Sequence, residues 1–373
     1  MPKILLVNLA GQMAGAEQSL LLLVQHLRHQ YTLLVACPKP SPLADRLDKM
    51  GVTTLKLPDY SCRKLLSLNG LCSIIHTSLV LLKMILTYQP DLIHANTFSA
   101  LICTALPARL TSKPLISHAR DFHRQHHLIP LASMSCTKII AVSQSIKNHL
   151  ISHGVNGEKI TVIYNGVLPP KKIHLNPSKP LTYAHIGQCV PWKNHTLFLQ
   201  AAAQIYQKHP QSRFLLVGDD LWGREREYKK SIQNLIKKLH LTNAVEWLNW
   251  QADMAPIWSR VSCLVHTAAA EPFGRVVLES LAHRVPVIAV NRCGPGEILQ
   301  HDSTALLVEP DDVDQLVITM EKRVSHCDPL DPAVADWVSR MFSAEKTASQ
   351  VAQLYQKLLK GSGYACRHHL SYV

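Results

Sequence analysis

The sequence holds ten cysteines but no Cys-x-x-Cys pair and no Cys/His set at zinc spacing. That pattern argues against a structural zinc module, and the several cysteines inside apolar runs read as buried free thiols in a reducing cytosol. A signal peptide's basic lead and small-residue cleavage site are also missing, since the chain enters directly on an apolar run at 3–9. A cytoplasmic location is the resulting expectation. Gly-x-Gly-x-x-Gly is absent, and no acidic residue closes a well-placed second strand, so the signal for a bound dinucleotide is weak. No internal repeat is visible beyond an alternation of strands and helices. Charged residues are scarce at 17% against 47% hydrophobic, which excludes a disordered chain and predicts sizeable cores. A length of 373 residues suits two domains of ordinary size.

Acidic residues are short in one half only. Residues 1–175 carry 18 Lys/Arg against 7 Asp/Glu, a net charge of +11, whereas the remainder is +2. A basic first half suggests an anionic partner there: a membrane surface, a lipid-phosphate acceptor or nucleic acid. Plain solubility charge explains it equally well. No uninterrupted run reaches membrane-spanning length. The nearest, LLSLNGLCSIIHTSLVLLKMIL at 65–86, is broken by Asn69, Gly70, His76 and Lys83. It predicts a buried helix. The alternative is a helix lying on a bilayer surface with Arg63, Lys64 and Lys83 near headgroups.

What is present is organised around residues 262–297. An apolar run, 262–266, reads as a buried strand; a loop of small residues follows, then Glu271-Pro272-Phe273-Gly274 and an apolar-periodic helix over 275–283. The next strand is expected at 286–290, and Gly294-Pro295-Gly296-Glu297 opens another helix. This is the repeating piece of a doubly wound α/β sheet. Glu271 and Glu279 lie roughly 12 Å or less apart at a helical rise of about 1.5 Å per residue. Gly274 permits close backbone approach, and the free N–H groups of the helix start favour phosphate. The pattern suits a ligand with a sugar end at Glu271, a diphosphate at the helix start and a ribose at Glu279. Two ordinary carboxylates near a helix start are the plainer explanation.

Similar units recur along the chain. Strands are expected at 3–9, 31–37, 53–57, 91–95, 114–117, 138–142, 159–167, 181–187, 213–218, 245–248 and 304–309. Helices are expected at 18–29, 42–50, 196–208, 225–240, 311–324 and 344–360, with Ser143 and Asp311 as N-caps. A proline-rich linker at 169–180 separates a first domain, 1–170, from a second, 181–343, and 344–361 forms the last helix. The His123–His127 stretch reads as a basic loop rather than a metal site, and no metal set is expected. Asp219-Asp220 reads as an acidic turn at a helix start. The tail, 362–373, is expected to be mobile.

E-P-F-G-R-V-V-L-E at 271–279, with the strand and G-P-G-E-I-L after it, resembles the donor site of the group 1 (family 4) retaining glycosyltransferases. The likeness extends to G-Q-M-A-G-A-E at 11–17, P-D-L-I-H-A-N-T at 90–97, V-I-Y-N-G-V at 162–167 and I-G-Q-C-V-P-W-K-N-H at 186–195. It implies the GT-B fold, two Rossmann-like domains facing a central cleft, with the last helix crossing back to the first domain. It implies sugar transfer with retention from a UDP- or GDP-sugar to a glycan or lipid-linked acceptor, without metal or other cofactor. Glu271 would hold the sugar. Gly187, Lys193, Phe273, Gly274, Arg275 and Glu279 would hold the donor nucleotide, and Gly15 and Ala16 would line the diphosphate or the acceptor. His118 would touch the transferred sugar and Arg120 an acceptor phosphate, although the usual His-Asp pair here reads Arg120-Asp121. Trp250 and Gln251 would lie near the base. Gln188 stands where the family often has Arg, so more of the diphosphate charge falls to Lys193 and Arg275. A peripheral contact with anionic membrane at the inner face fits the basic half, and nucleic acid is not an expected partner. Two other functions remain at this point: a sugar-nucleotide epimerase on the same scaffold, and a non-enzymatic protein binding anions through the basic half.

Overall fold

The computed structural model describes residues 1–58, 67–122, 128–173, 180–300, 306–325 and 328–361. The loop at 123–127, half of the linker (174–179), Arg63, Lys64 and the tail from 362 lie outside the described residues, as does the start of the strand expected at 304–309. The chain divides into two compact units, Met1–Gly166 with the chain from Ala344 onward, and Val167–Ser343.

In the first unit the strands are β1 (Lys3–Val7), β2 (Thr32–Pro38), β3 (Thr53–Leu57), β4 (Leu92–Ala95), β5 (Leu115–Ala119), β6 (Lys138–Ala141) and β7 (Ile160–Val162). They form one parallel sheet in the order β3-β2-β1-β4-β5-β6-β7. The second unit's strands are β8 (Thr182–Ile186), β9 (Arg213–Val217), β10 (Val245–Leu248), β11 (Cys263–His266), β12 (Val287–Val290) and β13 (Leu306–Val308). These are also parallel, in the order β10-β9-β8-β11-β12-β13. Central strands such as KILLV and VIAV are apolar on both faces because helices cover both sides. In each sheet the chain winds outward from its first strand, returns, and continues on the other side. The reversal lies between β1 and β4 in one unit and between β8 and β11 in the other. Such a reversal opens a crevice at the strands' carboxyl ends, where ligands of doubly wound sheets bind.

The helices are α1 (Gly15–Leu27), α2 (Pro42–Lys49), α3 (Leu68–Tyr88), α4 (Phe98–Leu110), α5 (Leu128–Met134), α6 (Gln144–Ser152), α7 (His195–Lys208), α8 (Arg226–Lys238), α9 (Ala255–Trp258), α10 (Arg275–Ala282), α11 (Cys293–Leu299), α12 (Val313–Ser325), α13 (Pro332–Met341) and α14 (Ala344–Gly361). Ser41, Ser67, Thr97, Ser143, Asn194 and Asp331 each accept a hydrogen bond from a backbone N–H in the first turn that follows, which explains where those helices start. α14 packs on α1 within the first unit. The second unit's core gathers Phe198, Phe214, Tyr183 and Leu216 between α7, α12 and the sheet.

Four expectations change. α1 starts at Gly15, not at 18, because Glu17 folds back to accept the Ala14 N–H at 3.2 Å and caps the helix. Asp312, not Asp311, caps α12, accepting from Gln315 N at 2.8 Å; Asp311 adopts a left-handed φ of 59° and accepts from Asn194 instead. β7 stops at Val162, well short of 167. α3 is not a buried helix: only Gly70, Thr77, Leu81 and Ile85 are buried, because one side packs on the unit and the other meets nothing among the described residues.

Candidate active site

In the second unit the loops after β8 and β11 meet at the sheet's reversal. Gly187 follows β8, and its N–H donates to Val217 O. A side chain at Gly218 (φ 135°), just after β9, would run into the Gly187 carbonyl, so the loops after β8 and β9 are held at glycine-only distance. The stem of Lys193 lies over Gly187, where a Cβ would come 3.2 Å from the lysine Cε. Thr267 Oγ1 ties the loops after β8 and β11 together by donating toward Lys193 O at 3.0 Å and Asn194 O at 2.8 Å. His185 Nε2 lies 3.1 Å from Lys193 O. A carbonyl only accepts, so that nitrogen carries the proton.

This frame aims the buried Lys193 ammonium at the Glu271 carboxylate, and the two form a buried ion pair. His266, the last residue of β11, stands with Nε2 3.4 Å from the same carboxylate oxygen. Burial pushes the Glu271 carboxyl up, but the Lys193 charge and the His266 ring outweigh it and hold it at about 2. Burial keeps His266 below its ordinary range, with Glu271 pulling the other way. An ionised carboxylate and an ammonium thus sit together in a dry site, where each interacts strongly with incoming charge.

α10 follows at once. Its N-cap is Gly274 at φ 91°, which offers no side chain to the first-turn N–H groups. Arg275 and Glu279 pair along the helix at 3.3 Å. Burial raises the Glu279 carboxyl despite Arg275. Phe273 turns inward and packs on Phe342. Gly294 is there because a Cβ would strike the Phe273 backbone at 2.3 Å; its N–H holds Glu271 O at 3.1 Å. The structure therefore gathers Gly187, Lys193, Glu271 and Gly274 at one reversal, with Arg275 opening α10 and Glu279 one turn along it. Asp219 pairs with Lys229, and Asp220 accepts from the Arg224 and Glu225 N–H groups.

The first unit has its own polar cluster at the ends of β1, β4 and β5. Arg120 donates to Asn96 O and Oδ1, to Asn165 Oδ1 at 2.7 Å and to His118 Nδ1 at 3.0 Å. An arginine cannot accept, so the neutral His118 carries its proton on Nε2, which is buried without a hydrogen-bond partner. His94 stacks on His118 and meets the Tyr355 hydroxyl of α14 at 2.5 Å. Burial, reinforced by Arg120, drives His118 well below its ordinary pKa and His94 to about 3. His118, Arg120 and Asn165 line a cavity of about 10 Å³, one water's worth. Gly15 and Ala16 form the first turn of α1 beside this cluster, where Ala16 O lies 3.4 Å from Asn96 Nδ2.

His266, His185 and Thr267 have no assigned role in the sequence reading. The one signal was a histidine ending an apolar strand five positions before Glu271. The pairing of Lys193 with Glu271 spans 78 positions and has no sequence signal.

A family model of the group 1 glycosyl transferases matches residues 169–329, and one of glycosyltransferase family 4 matches 13–169. An uncharacterised glycosyltransferase of Methanocaldococcus jannaschii is 30% identical over 284 residues, which is 72% of this chain and 76% of that one. The mouse alpha-1,3/1,6-mannosyltransferase ALG2 is 30% identical over 206 residues, about half of each chain at 52% and 49%. Among solved structures, HepE of Anabaena in complex with UDP-glucose superposes with a TM-score of 0.83 at 24% identity, covering 95% of this chain and 99% of that one. Sucrose-phosphate synthase of Thermosynechococcus elongatus gives 0.79 at 18% identity, over 97% and 100%. Both are two-domain GT-B structures, and they share the fold.

Proposed function

The chain belongs to the group 1 glycosyltransferases, family 4, and is a glycosyltransferase of GT-B fold; from that premise we propose that it moves a sugar, with retention, from a UDP- or GDP-sugar to a glycan or lipid-linked acceptor at the cytoplasmic face of a membrane. The observation that carries this reading is the Lys193–Glu271 pair at the reversal between β8 and β11, beside the uncapped start of α10. Several relatives lend it weight by name: ALG2 is a mannosyltransferase, a Dictyostelium relative is a GDP-mannose-dependent mannosyltransferase acting on a dolichol-linked glycan, and HepE was solved with UDP-glucose.

In this reading the diphosphate docks at the first turn of α10. The first-turn N–H groups of α10, with the Arg275 and Lys193 side chains, meet its charge. Glu279 takes the ribose diol, and Gly187 and Phe273 supply backbone around the nucleotide. Lys193 turns from Glu271 to the phosphate, and Glu271 accepts from sugar hydroxyls. The bond from the anomeric carbon to phosphate oxygen breaks, and the acceptor oxygen bonds that carbon on the same face. The acceptor's proton passes to the departing phosphate. Glu271, ionised throughout, favours the positive charge that develops on the sugar. No metal is assigned, since cationic side chains and N–H groups face the phosphates. Acceptor binding is assigned to the first unit, with Arg120 for an acceptor phosphate and His118, Gly15 and Ala16 along the same edge of that unit.

Thermal shift against UDP and GDP tests the reading. One of the two raises the melting temperature, since ligand at about 100 times its Kd contributes about 2.7 kcal/mol. The double variant Lys193→Met/Glu271→Met, which removes both ions together, loses the shift. If neither nucleoside diphosphate moves the wild-type transition at millimolar concentration, the assignment fails.

A further inference from the structure

α3 is apolar on two faces, unlike an ordinary helix on a sheet. Such a helix turns its large apolar residues inward. The four residues α3 buries are Gly70, Thr77, Leu81 and Ile85. Facing outward are Leu68, Leu71, Ile75, Leu79 and Leu86, exposed by 82, 44, 58, 59 and 57%. These positions recur at three, four and seven, so they form one stripe, about 27 Å long at about 1.5 Å per residue. α4, against which α3 packs, adds Leu106 and Leu110, and α5 adds Leu131 and Met134. Of the eighteen large hydrophobics exposed among the described residues, ten fall between positions 68 and 134. That is a concentration, not the scatter normal for a soluble surface.

The charge around the stripe has one sign. α3, α4 and α5 contain no Asp or Glu, while Lys83 and Arg109 are exposed on them. We infer that this face docks the first unit on an anionic bilayer, with α3 lying in the interface plane, its leucines among the acyl chains and its cations at the headgroups. The 18-residue window of α3 has a mean hydropathy of 1.7, which length and composition alone would allow to span, but the helix packs along α4 in the unit. A second copy fits the face less well, because a self-contact would bring the cations Lys83 and Arg109 of both copies to one interface with no Asp or Glu on these helices to pair them. The inference is independent of the donor-site reading, since α3 lies in the first unit and docking is read without nucleotide.

Flotation of the full chain with vesicles of equal parts phosphatidylglycerol and phosphatidylcholine, and with phosphatidylcholine alone, tests it. The wild type floats with the anionic vesicles at low salt and much less at high salt. Ile75→Glu/Leu79→Glu weakens this at least about a hundredfold, and Lys83→Glu about tenfold. Both variants alter exposed side chains, and an unchanged melting temperature verifies their fold. Three results overturn the proposal. The wild type binds neither vesicle; or the double variant floats as well as the wild type; or sedimentation without lipid shows a dimer that the double variant abolishes while no vesicle is bound, which gives the face to a second copy.

Discussion

Each unit buries a cluster of charged and polar side chains at the carboxyl ends of its strands, next to its sheet reversal, yet the two clusters are built differently. In the first, the cation is Arg120, and its planar fork is met by neutral acceptors: two amide oxygens, a backbone carbonyl and an imidazole nitrogen. Asn96 then donates to Asn8, and Asn8 to Glu17, so the chain of bonds stitches β1, β4, β5 and the start of α1 together. In the second, the cation is an ammonium on a flexible stem, and its partner is a carboxylate. A guanidinium in a fixed fork holds shape. An ammonium and a carboxylate can each take a new partner of the right charge or polarity without the backbone moving. The contrast separates a buried charge locked in one geometry from one that can turn to a new partner.

The largest expected effect tests that contrast. Lys193→Met or Glu271→Met alone strands an unpaired buried charge and destabilises by about 3–5 kcal/mol, whereas the double variant recovers most of this. Transfer activity falls at least about a hundredfold in all three, as when one preorganised charge is removed from a transition state. Arg120→Met orphans several acceptors together and costs about 2–4 kcal/mol. No single change in a partner restores it. Urea denaturation of the four proteins, with radiolabelled sugar transfer on the folded ones, makes the measurement. A Lys193→Met/Glu271→Met protein with full activity would break the comparison outright.

Much of this was legible beforehand, for reasons that are local. Both sheets follow from apolar runs separated by turn residues, and the α10 loop from Gly274 and the two glutamates. Ser143 announced its helix because a serine ahead of a periodic segment has few other uses. What was not legible is set by tertiary contact. Nothing in the spacing of Lys193 and Glu271 says they neutralise each other, or that Arg120 spans Asn96 and Asn165. α3 misled because its composition is that of a buried helix, and only the packing reveals that Leu81 and Ile85 face the unit while Leu68, Leu71, Ile75, Leu79 and Leu86 face outward. α9 is only four residues long, and α4, with Pro107 in its last turns, has apolar residues all round, so neither carries a helical period.

Acid provides the next effect. Burial holds His94, His118, His185, His195 and His266 below their ordinary range; His94 stands at about 3 and His195 at about 4. Each stays neutral in the fold while the unfolded chain takes up a proton below about pH 6.5, so its contribution is present above that pH and is lost as pH falls toward the folded value. The slope is at most about 1.4 kcal/mol per pH unit for each histidine. Glu271 adds to the loss only from about pH 4.5 downward, as pH falls toward the folded value of about 2. Three of these histidines lie in the second unit and two in the first, which sets the order of acid unfolding. All six tryptophans lie at 192–337, so their fluorescence reports the second unit while far-UV circular dichroism reports both. Between about pH 7 and 5 the fluorescence midpoint in urea should fall further than the dichroism midpoint. The reverse order would place the acid-sensitive cluster in the first unit.

The smallest effect separates the same two units at their helix caps. Ser143 Oγ accepts from Ile146 N at 3.1 Å at the start of α6, and Asp312 Oδ1 accepts from Gln315 N at 2.8 Å at the start of α12. Alanine at either site orphans one first-turn N–H and costs about 1 kcal/mol. Ser143→Ala should lower the dichroism midpoint and leave the tryptophan transition in place, because the cap belongs to the first unit. Asp312→Ala should move the tryptophan transition. Asp311→Gly is the control: glycine accepts the left-handed φ of 59°, so the loss is chiefly the exposed bond from Asn194, and surface bonds of that kind contribute about 0.5 kcal/mol or less. A larger loss at Asp311 than at Asp312 would return the cap to the first aspartate, and with it the reading of how the loop after β13 enters its helix.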